Sequence, residues 1–303
     1  MDYTLLKEKL QEKLPVENVE LTHTMAKETT FRCGGDAALF VIADSLDELR
    51  YALSVIRAFG CNWMILGNGS NVLFTDGGYD GAVIKLGKEF SEVVCEGDTF
   101  IAGAAVKLSY LSRLAAAKSL SGFEFASGIP GSLGGAVFMN AGAYGGTMKD
   151  VLTSVTAVTA EGEIYKYGAD ELDLGYRHSR FMESGEIVIQ AELRFVPGDS
   201  KEICAMMDDL TAKRKAKQPL SYPSAGSFFK RPEGYYAGAL IEQSGLKGFS
   251  VGDAQVSELH AGFIINKGEA SASDVIALCK HVQDTVYEKF GVRLEPEVRI
   301  VGE

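Results

Sequence analysis

An α+β fold is predicted by a change of pattern along the chain. From about Thr29 to Val196, short β-rich runs alternate with glycine turns, and after residues 197–200 helical periodicity carries most of the sequence. Composition agrees: 303 residues at 46% hydrophobic content can fill the cores of two or three modest domains.

The opening MDYTLLKEKLQEKL sets Leu5, Leu6 and Leu10 at helical spacing and stops before Pro15, which predicts a short amphipathic helix attached as a packing appendage. The runs ALFVIA, WMILG, GAVIKL, SEVVCEGDTFIAGAAV and EIVIQAELRF read as strands. Helices interrupt them at about Leu46 to Phe59, and from Ser109 through Leu111, Leu114 and Ala115 to a glycine stop at Gly122. After VPGD, the stretch KEICAMMDDLTAKRKAK puts Ile203, Met206, Met207 and Leu210 on one face, with Asp199 and Glu202 as a helix-start box and a stop before Pro219. A short helix near Tyr235 to Gln243 and strands around Val251 and Phe263 follow. A long helix then starts near Ser273, turns Val275, Leu278, Cys279, Val282 and Val286 inward and ends at Gly291. The closing VRLEPEVRIVG alternates, with Val292, Leu294, Val298 and Ile300 on one face and Glu295, Glu297 and Arg299 on the other. There is no internal repeat.

A formal net charge of -11 argues against a general nucleic-acid or anionic-membrane binder, while leaving room for a local basic pocket that takes a small anion. Cys33, Cys61, Cys95, Cys204 and Cys279 are scattered and odd in number, so they suggest neither a disulfide framework nor a zinc knuckle and read as buried thiols. The histidines have no metal-ligand spacing, so no metal is expected, and His178 reads as a local hydrogen-bonding residue. The charged N-terminus lacks a secretory signal, and no run approaches the roughly 18 apolar residues of a membrane span, so a cytoplasmic protein is expected.

WMILGNGSNVLF runs a strand straight into Gly67-Asn68-Gly69-Ser70-Asn71, and SGIPGSLGGAVFMNAGAYGG crowds glycines around Gly128, Gly131, Gly134 and Gly142. Glycine lets successive amides converge on a phosphate, and Ser70 and Asn71 add donors. Neither loop is a Rossmann fingerprint or a GK[ST] phosphate loop, and each alone reads equally as a set of glycine turns. Two of them in one β-rich stretch favour a dinucleotide cofactor.

Seven motifs in order, TTFRCGGDA, LGNGSNVLF, GIPGSLGGAVFMNAGAYG, LGYRHSRF, SAGSFFKRP, HAGFIINKGEASASDV and LEPEVRIVG, together resemble the UDP-N-acetylenolpyruvoylglucosamine reductase family from about Thr22 onward. The resemblance implies a two-lobed FAD-binding region of the vanillyl-alcohol-oxidase (PCMH) type followed by an α+β substrate-binding domain. The expected organisation is an N-terminal helical segment at 1–22, FAD-binding lobes at about 23–85 and 86–198, and a substrate domain at 199–303 whose final strand, 292–301, packs back toward the active site. Noncovalent FAD is implied at Gly67, Asn68, Gly69, Ser70, Asn71, Gly128, Ile129, Gly131, Ser132, Gly134, Ala141, Gly142 and Val188, with NADPH as co-substrate and UDP-N-acetylglucosamine enolpyruvate as acceptor. A monomer is expected.

The resemblance implies catalytic roles for Arg177, Ser227 and Glu297. Hydride arriving at the terminal alkene carbon leaves an enolate beside a carboxylate, which demands cations and donors arranged in advance. Arg177 offers a planar, permanently charged fork; Ser227 is implied as the proton donor, with Lys230 or Arg177 supplying the field that makes its hydroxyl acidic. Without the resemblance, Arg177 reads as a surface arginine at a strand end, Glu297 as part of a solvated polar face, and Ser227 as a turn serine bonding its own backbone. Tyr176, Lys217, Lys230, Gln255 and Asn266 fall at or near implied substrate-binding positions. Arg214, one turn before Lys217, reads equally as a member of an anion patch or of a solvated helix face. The sequence resembles the shorter class, which lacks the inserted tyrosine segment that folds over the nucleotide.

Three rival readings exist. Ser227 to Lys230 satisfies SxxK, but companion KTG and SDN motifs are absent. A related FAD-dependent oxidase with another substrate would share the cofactor fold. A nucleotide-binding module without catalysis would need the glycine loops alone.

Overall fold

In the computed structural model, which describes residues 1–302, Asp2 starts helix α1 (Tyr3–Leu10) by accepting hydrogen bonds from the amides of Thr4 and Leu5. Leu6 and Leu10 are fully buried and join a core with Leu49, Leu53 and Ile56 of α2 (Leu46–Ala58), while Leu5 is exposed. The first helix is thus part of a core, not the appendage expected for residues 1–22. Ser45 caps α2 through its side chain, which accepts from the Glu48 amide at 3.2 Å.

The chain divides into two units. Unit 1 comprises Met1–Leu21, Leu39–Asn68 and Gly81–Lys213, and unit 2 comprises Thr22–Ala38, Gly69–Asp80 and the chain from Arg214 onward. Consecutive domains with boundaries near 22, 85 and 198 were expected; instead, two early segments belong with the C-terminal third. The reason is packing: Phe31, Cys33 and Leu73 fill the same core as Phe228, Ile241, Val275 and Leu278.

The early strands are β1 (Val19–Thr24), β2 (Asp36–Ala43), β3 (Trp63–Ile65), β4 (Val72–Phe74) and β5 (Tyr79–Leu86), and four of them form a sheet in the order β1-β2-β5-β3. β3 and β5 are parallel, Trp63 opposite Ala82. An antiparallel sheet follows from β6 (Val93–Glu96), β7 (Thr99–Gly103), β8 (Leu152–Val158), β9 (Ile164–Gly168) and β10 (Ile187–Arg194), ordered β9-β8-β10-β7-β6. Its buried face meets α3 (Leu108–Ala117) and the short α4 (Leu133–Phe138) in a core where Phe123 lies 5.3 Å from Phe125 and 5.5 Å from Phe195. Helix α5 is one turn, Phe181–Ser184.

Helix α6 (Ser200–Lys217) begins where expected, with the Asp199 carboxylate accepting from the amides of Lys201 and Glu202. Its expected apolar face forms in part: Ile203 is buried, Met207 and Leu210 are half-buried with Met207 Sδ 3.9 Å from Ser112 Oγ of α3, and Met206 is 55% exposed. Cys204, on the same helix, is likewise exposed, whereas Cys33, Cys61 and Cys279 are buried and Cys95 is half-buried. Burial, with Asp76 and Asp274 nearby, pushes the Cys33 thiol up to about 12.

In unit 2, α7 (Ala237–Gln243) and α8 (Ala272–Phe290) cover a small sheet of β11 (Ser250–Val251), β12 (Ala254–Val256) and β13 (Ile264–Asn266). All five inward residues expected for α8 are buried. Ser271 and Asp274 close a reciprocal capping box at its start, and Gly291 ends it at φ +68°. The closing alternation yields only a short strand, β14 (Arg299–Val301), parallel to β4 with Arg299 opposite Val72. Leu294 and Val298 are buried as expected, but Ile300 is 42% exposed. Pro296 has no N–H to give a ladder, and it sits in a single isolated bridge opposite Phe229.

Asp76 supplies a second cap to α8: its carboxylate accepts from the amides of Ala272 and Ser273, each at 2.8 Å, and from the Ser273 hydroxyl at 2.5 Å. Burial works to raise its pKa, but the hydrogen bonds from Ser273 and Ala272 outweigh it and hold the carboxyl below its ordinary 3.8. A depressed folded value contributes stability above the unfolded pKa, and this is lost as pH falls through the folded one. Asp76→Ala is therefore expected to lower stability by about 1–2 kcal/mol at neutral pH. The deficit should shrink in urea unfolding repeated below about pH 3.5.

Candidate active site

Gly67, at the end of the strand-to-loop run after β3, has no room for a side chain: a Cβ there would lie 2.4 Å from Ser132 Oγ. Ser132 begins α4, accepting from the Gly135 amide at 3.4 Å, and Asn68 Nδ2 donates to Pro130 O at 2.6 Å. The two glycine loops, far apart in sequence, therefore touch within unit 1. The second loop is fixed in turn by Leu133 N to Val106 O and Gly134 N to Ala104 O, both 2.8 Å. Val188 is buried on β10, and Gly128, Ile129, Gly131, Ala141 and Gly142 are half-buried along the loop. Among the described residues the amides of Gly67 and Asn68 donate to no protein acceptor.

The loop continues into unit 2. Gly69 takes φ +60°, and a Cβ on it would fall 2.0 Å from Glu28 O, so no other residue fits. Thr30 ties this turn down, its amide donating to Gly69 O at 3.1 Å and its hydroxyl to Ser224 O at 2.7 Å.

Arg177 lies in unit 1 at the tip of a tight turn closed by the Gly175 amide on His178 O at 3.1 Å. Its φ is +52°, a left-handed conformation that a long side chain adopts only under constraint from its surroundings. The guanidinium lies 5.4 Å from the ring of Tyr176, itself 59% exposed, and Nη2 is 3.5 Å from Gly142 O. His178 has the local role expected of it, with its ring 3.0 Å from Asp173.

Ser227 and Glu297 lie in unit 2. The Phe228 amide donates to Gly262 O and its carbonyl accepts from the Glu297 amide, both at 2.8 Å, so the Ser227 segment is held on both sides. Phe228 and Phe229 are buried while Ser227 between Gly226 and Phe228 is exposed. Its hydroxyl has no hydrogen-bond partner among the described residues, so it is not the self-bonded turn serine that the local sequence also allowed. Asn71 Nδ2 donates to Glu297 O at 3.1 Å, and the Arg299 amide to Asn71 O at 3.0 Å, which fixes the glutamate at half burial just ahead of β14.

The other expected residues differ in what they leave available. Lys230 is paired with Glu295 at 3.4 Å. Gln255 gives its amide group to Gly248 O and Ser250 Oγ, each at 3.0 Å. Asn266 is 2% exposed and uses both ends of its amide internally, donating to Phe31 O and accepting from the amides of Gly268 and Ala270. Lys217 is exposed at the end of α6. Sequence reasoning passed over Thr30, Asn140 and His260. Burial lowers the pKa of His260, which accepts from the Gly262 amide at 3.1 Å and shapes the strand against Ser227. Its signal was the quoted HAGF. Among the described residues there is no metal-binding cluster.

Residues 37–168 match the FAD binding domain family, and residues 218–301 match the C-terminal domain of UDP-N-acetylenolpyruvoylglucosamine reductase. The chain is 50% identical to the reductase of that name from Alkaliphilus oremlandii (strain OhILAs) over 97% of both chains, and 50% identical to that of Agathobacter rectalis over the whole of both. The crystal structure of the reductase from Thermus caldophilus superposes with a TM-score of 0.82 at 36% identity, covering 94% of this chain and 99% of that one. A glucose dehydrogenase, Phl p 4.0202, shares the fold alone, with a TM-score of 0.53 at 15% identity over 64% of this chain and 44% of that one. The chain belongs to the UDP-N-acetylenolpyruvoylglucosamine reductase family. Membership sets aside the SxxK acyltransferase, the oxidase with another substrate and the non-catalytic module.

The residues present fit the flavin: the two loops meet where a side chain on Gly67 would intrude, and the amides there face no protein acceptor. Gly67→Ala is expected to weaken FAD binding about tenfold or more, about 1.4 kcal/mol, because Ser132 Oγ must shift to admit the methyl group. Titration of apoprotein followed by flavin fluorescence measures it.

Proposed function

We infer that the protein reduces the enolpyruvyl group of UDP-N-acetylglucosamine enolpyruvate to give UDP-N-acetylmuramate, a peptidoglycan precursor, with NADPH as reductant. Bound FAD would supply the redox chemistry, relaying hydride from NADPH to the terminal alkene carbon. Everything else falls to side chains. In this reading the amides of Gly67 to Asn71, of the loop from Gly128 to Gly134 and of Ala141 and Gly142 would hold the cofactor's phosphates, and Val188 would line the pocket for its ring.

As hydride adds, the alkene pair moves into the carboxylate and a dianion develops. Arg177 grips that carboxylate with two parallel N–H donors and stays charged throughout. Glu297 is assigned to stabilising the enolate, and Ser227 Oγ to delivering the proton that completes the C–H bond. The alkoxide this leaves requires a nearby cation, and Lys230, already shared with Glu295, supplies only part of that field. Tyr176 and Lys217 are assigned to the substrate's charged groups. Gln255 and Asn266, whose amides are engaged internally, act by shaping the walls. The observation that carries the proton-donor role is the exposed Ser227 hydroxyl, without a protein partner, on a backbone pinned from both sides.

No helix among the described residues is long and apolar enough to cross a membrane, and we propose a cytoplasmic monomer, where NADPH and nucleotide sugars are available.

The purified protein should show a flavin spectrum that bleaches with NADPH and returns anaerobically on adding the enolpyruvyl substrate. A protein that neither carries nor takes up FAD would end this reading. In stopped-flow, Ser227→Ala should leave flavin reduction by NADPH within about twofold and slow reoxidation by substrate roughly 100-fold or more. Reoxidation at the unaltered rate would remove the serine from the mechanism.

A further inference from the structure

Arg177 holds a left-handed backbone that its side chain disfavours, and the neighbourhood that enforces it converges on Asn140. Asn140 is 5% exposed and is itself left-handed, at φ +40°. Its Nδ2 donates to Gly175 O at 2.7 Å, the carbonyl that opens the arginine turn, and its Oδ1 accepts from the Lys149 amide at 3.0 Å. Two further side chains stitch the same segments together. Ser179, fully buried, donates to Phe138 O at 2.7 Å, and Lys149 Nζ reaches Leu174 O at 3.4 Å. On the far side of Asn140, Gly142 O lies 3.5 Å from Arg177 Nη2. The backbone that follows Asn140 is thus the loop assigned to the flavin, and the backbone its amide holds is the loop that presents the arginine.

We propose that Asn140 is a positioning residue for the reaction: it sets the Arg177 turn against the flavin loop, so that the guanidinium meets the substrate carboxylate in register with the hydride donor. This rests on the reductase reading above. A buried asparagine with both ends of its amide engaged allows little rotation, and the turn it anchors carries Arg177 two residues on. Asn140 touches neither reactant in this account; it acts through Arg177. In this proposal the arginine serves the substrate half-reaction and not the reduction of the flavin by NADPH.

The test separates the two half-reactions in Asn140→Asp and Asn140→Ala. The aspartate retains the acceptor for the Lys149 amide and lacks the donor to Gly175, which isolates the link to the arginine turn. In stopped-flow of the FAD-loaded protein, flavin reduction should stay within about twofold for Asn140→Asp, while the limiting rate of reoxidation at saturating enolpyruvyl substrate falls about 10- to 100-fold. Because the residue acts through the guanidinium, Asn140→Asp added to Arg177→Lys should reoxidise within about twofold of Arg177→Lys alone. Multiplicative losses in the double variant, or equal losses in both half-reactions together with lost FAD content, would overturn the proposal and leave Asn140 a structural residue. If Asn140→Ala does not fold, the aspartate series decides. Failure of the reductase reading shows separately, as unaltered protein whose reduced flavin is not reoxidised by the enolpyruvyl substrate.

Discussion

One peptide governs unit 2. Phe228 donates to Gly262 and accepts from Glu297, so a single residue binds the serine segment to the strand on one side and to the glutamate segment on the other. Its ring is fully buried, edge-on to Phe31 at 6.3 Å and to Phe229 at 5.3 Å. Because the ring is locked in the core, the backbone on either side has no freedom to slide. Ser227 is exposed as a consequence, and Glu297 is set by the same peptide, with Asn71 holding its carbonyl.

Unit 1 solves a different problem. Its glycine loops need close approach without side chains, whereas its arginine needs a long side chain at a conformation better suited to glycine. The first need is met by sequence choice at Gly67. The second is met by surroundings, through buried hydrogen bonds from Asn140 and Ser179 that no residue of the arginine turn could supply alone.

Much of the fold was legible because periodicity reports burial. Helix α8 was read nearly to the residue, since its Ser271 capping box, its glycine stop and its five inward side chains all lie in the local sequence. Helix α6 was read correctly in extent and in part in its inner face: Ile203, Met207 and Leu210 turn inward but Met206 does not, because the pattern carries no statement about how wide a face the partner covers. The closing strand failed in part at Pro296, a breaker visible in the sequence but outweighed there by the alternation. The candidate site was legible as motifs, and Asn140 and Thr30 went unread because each acts through hydrogen bonds to residues distant in sequence.

The sequence by itself determined the element types, the glycine positions and, through the order of its motifs, the family, because these depend on local sterics and on residue identity. Only the tertiary structure decided that segments 22–38 and 69–80 belong with the C-terminal third, that the Ser227 hydroxyl is left unpartnered, that Asn266 is engaged internally, and that Arg177 is held left-handed. Each of these depends on which distant backbone group occupies a given hydrogen-bonding direction, and that is fixed only when the chain closes on itself.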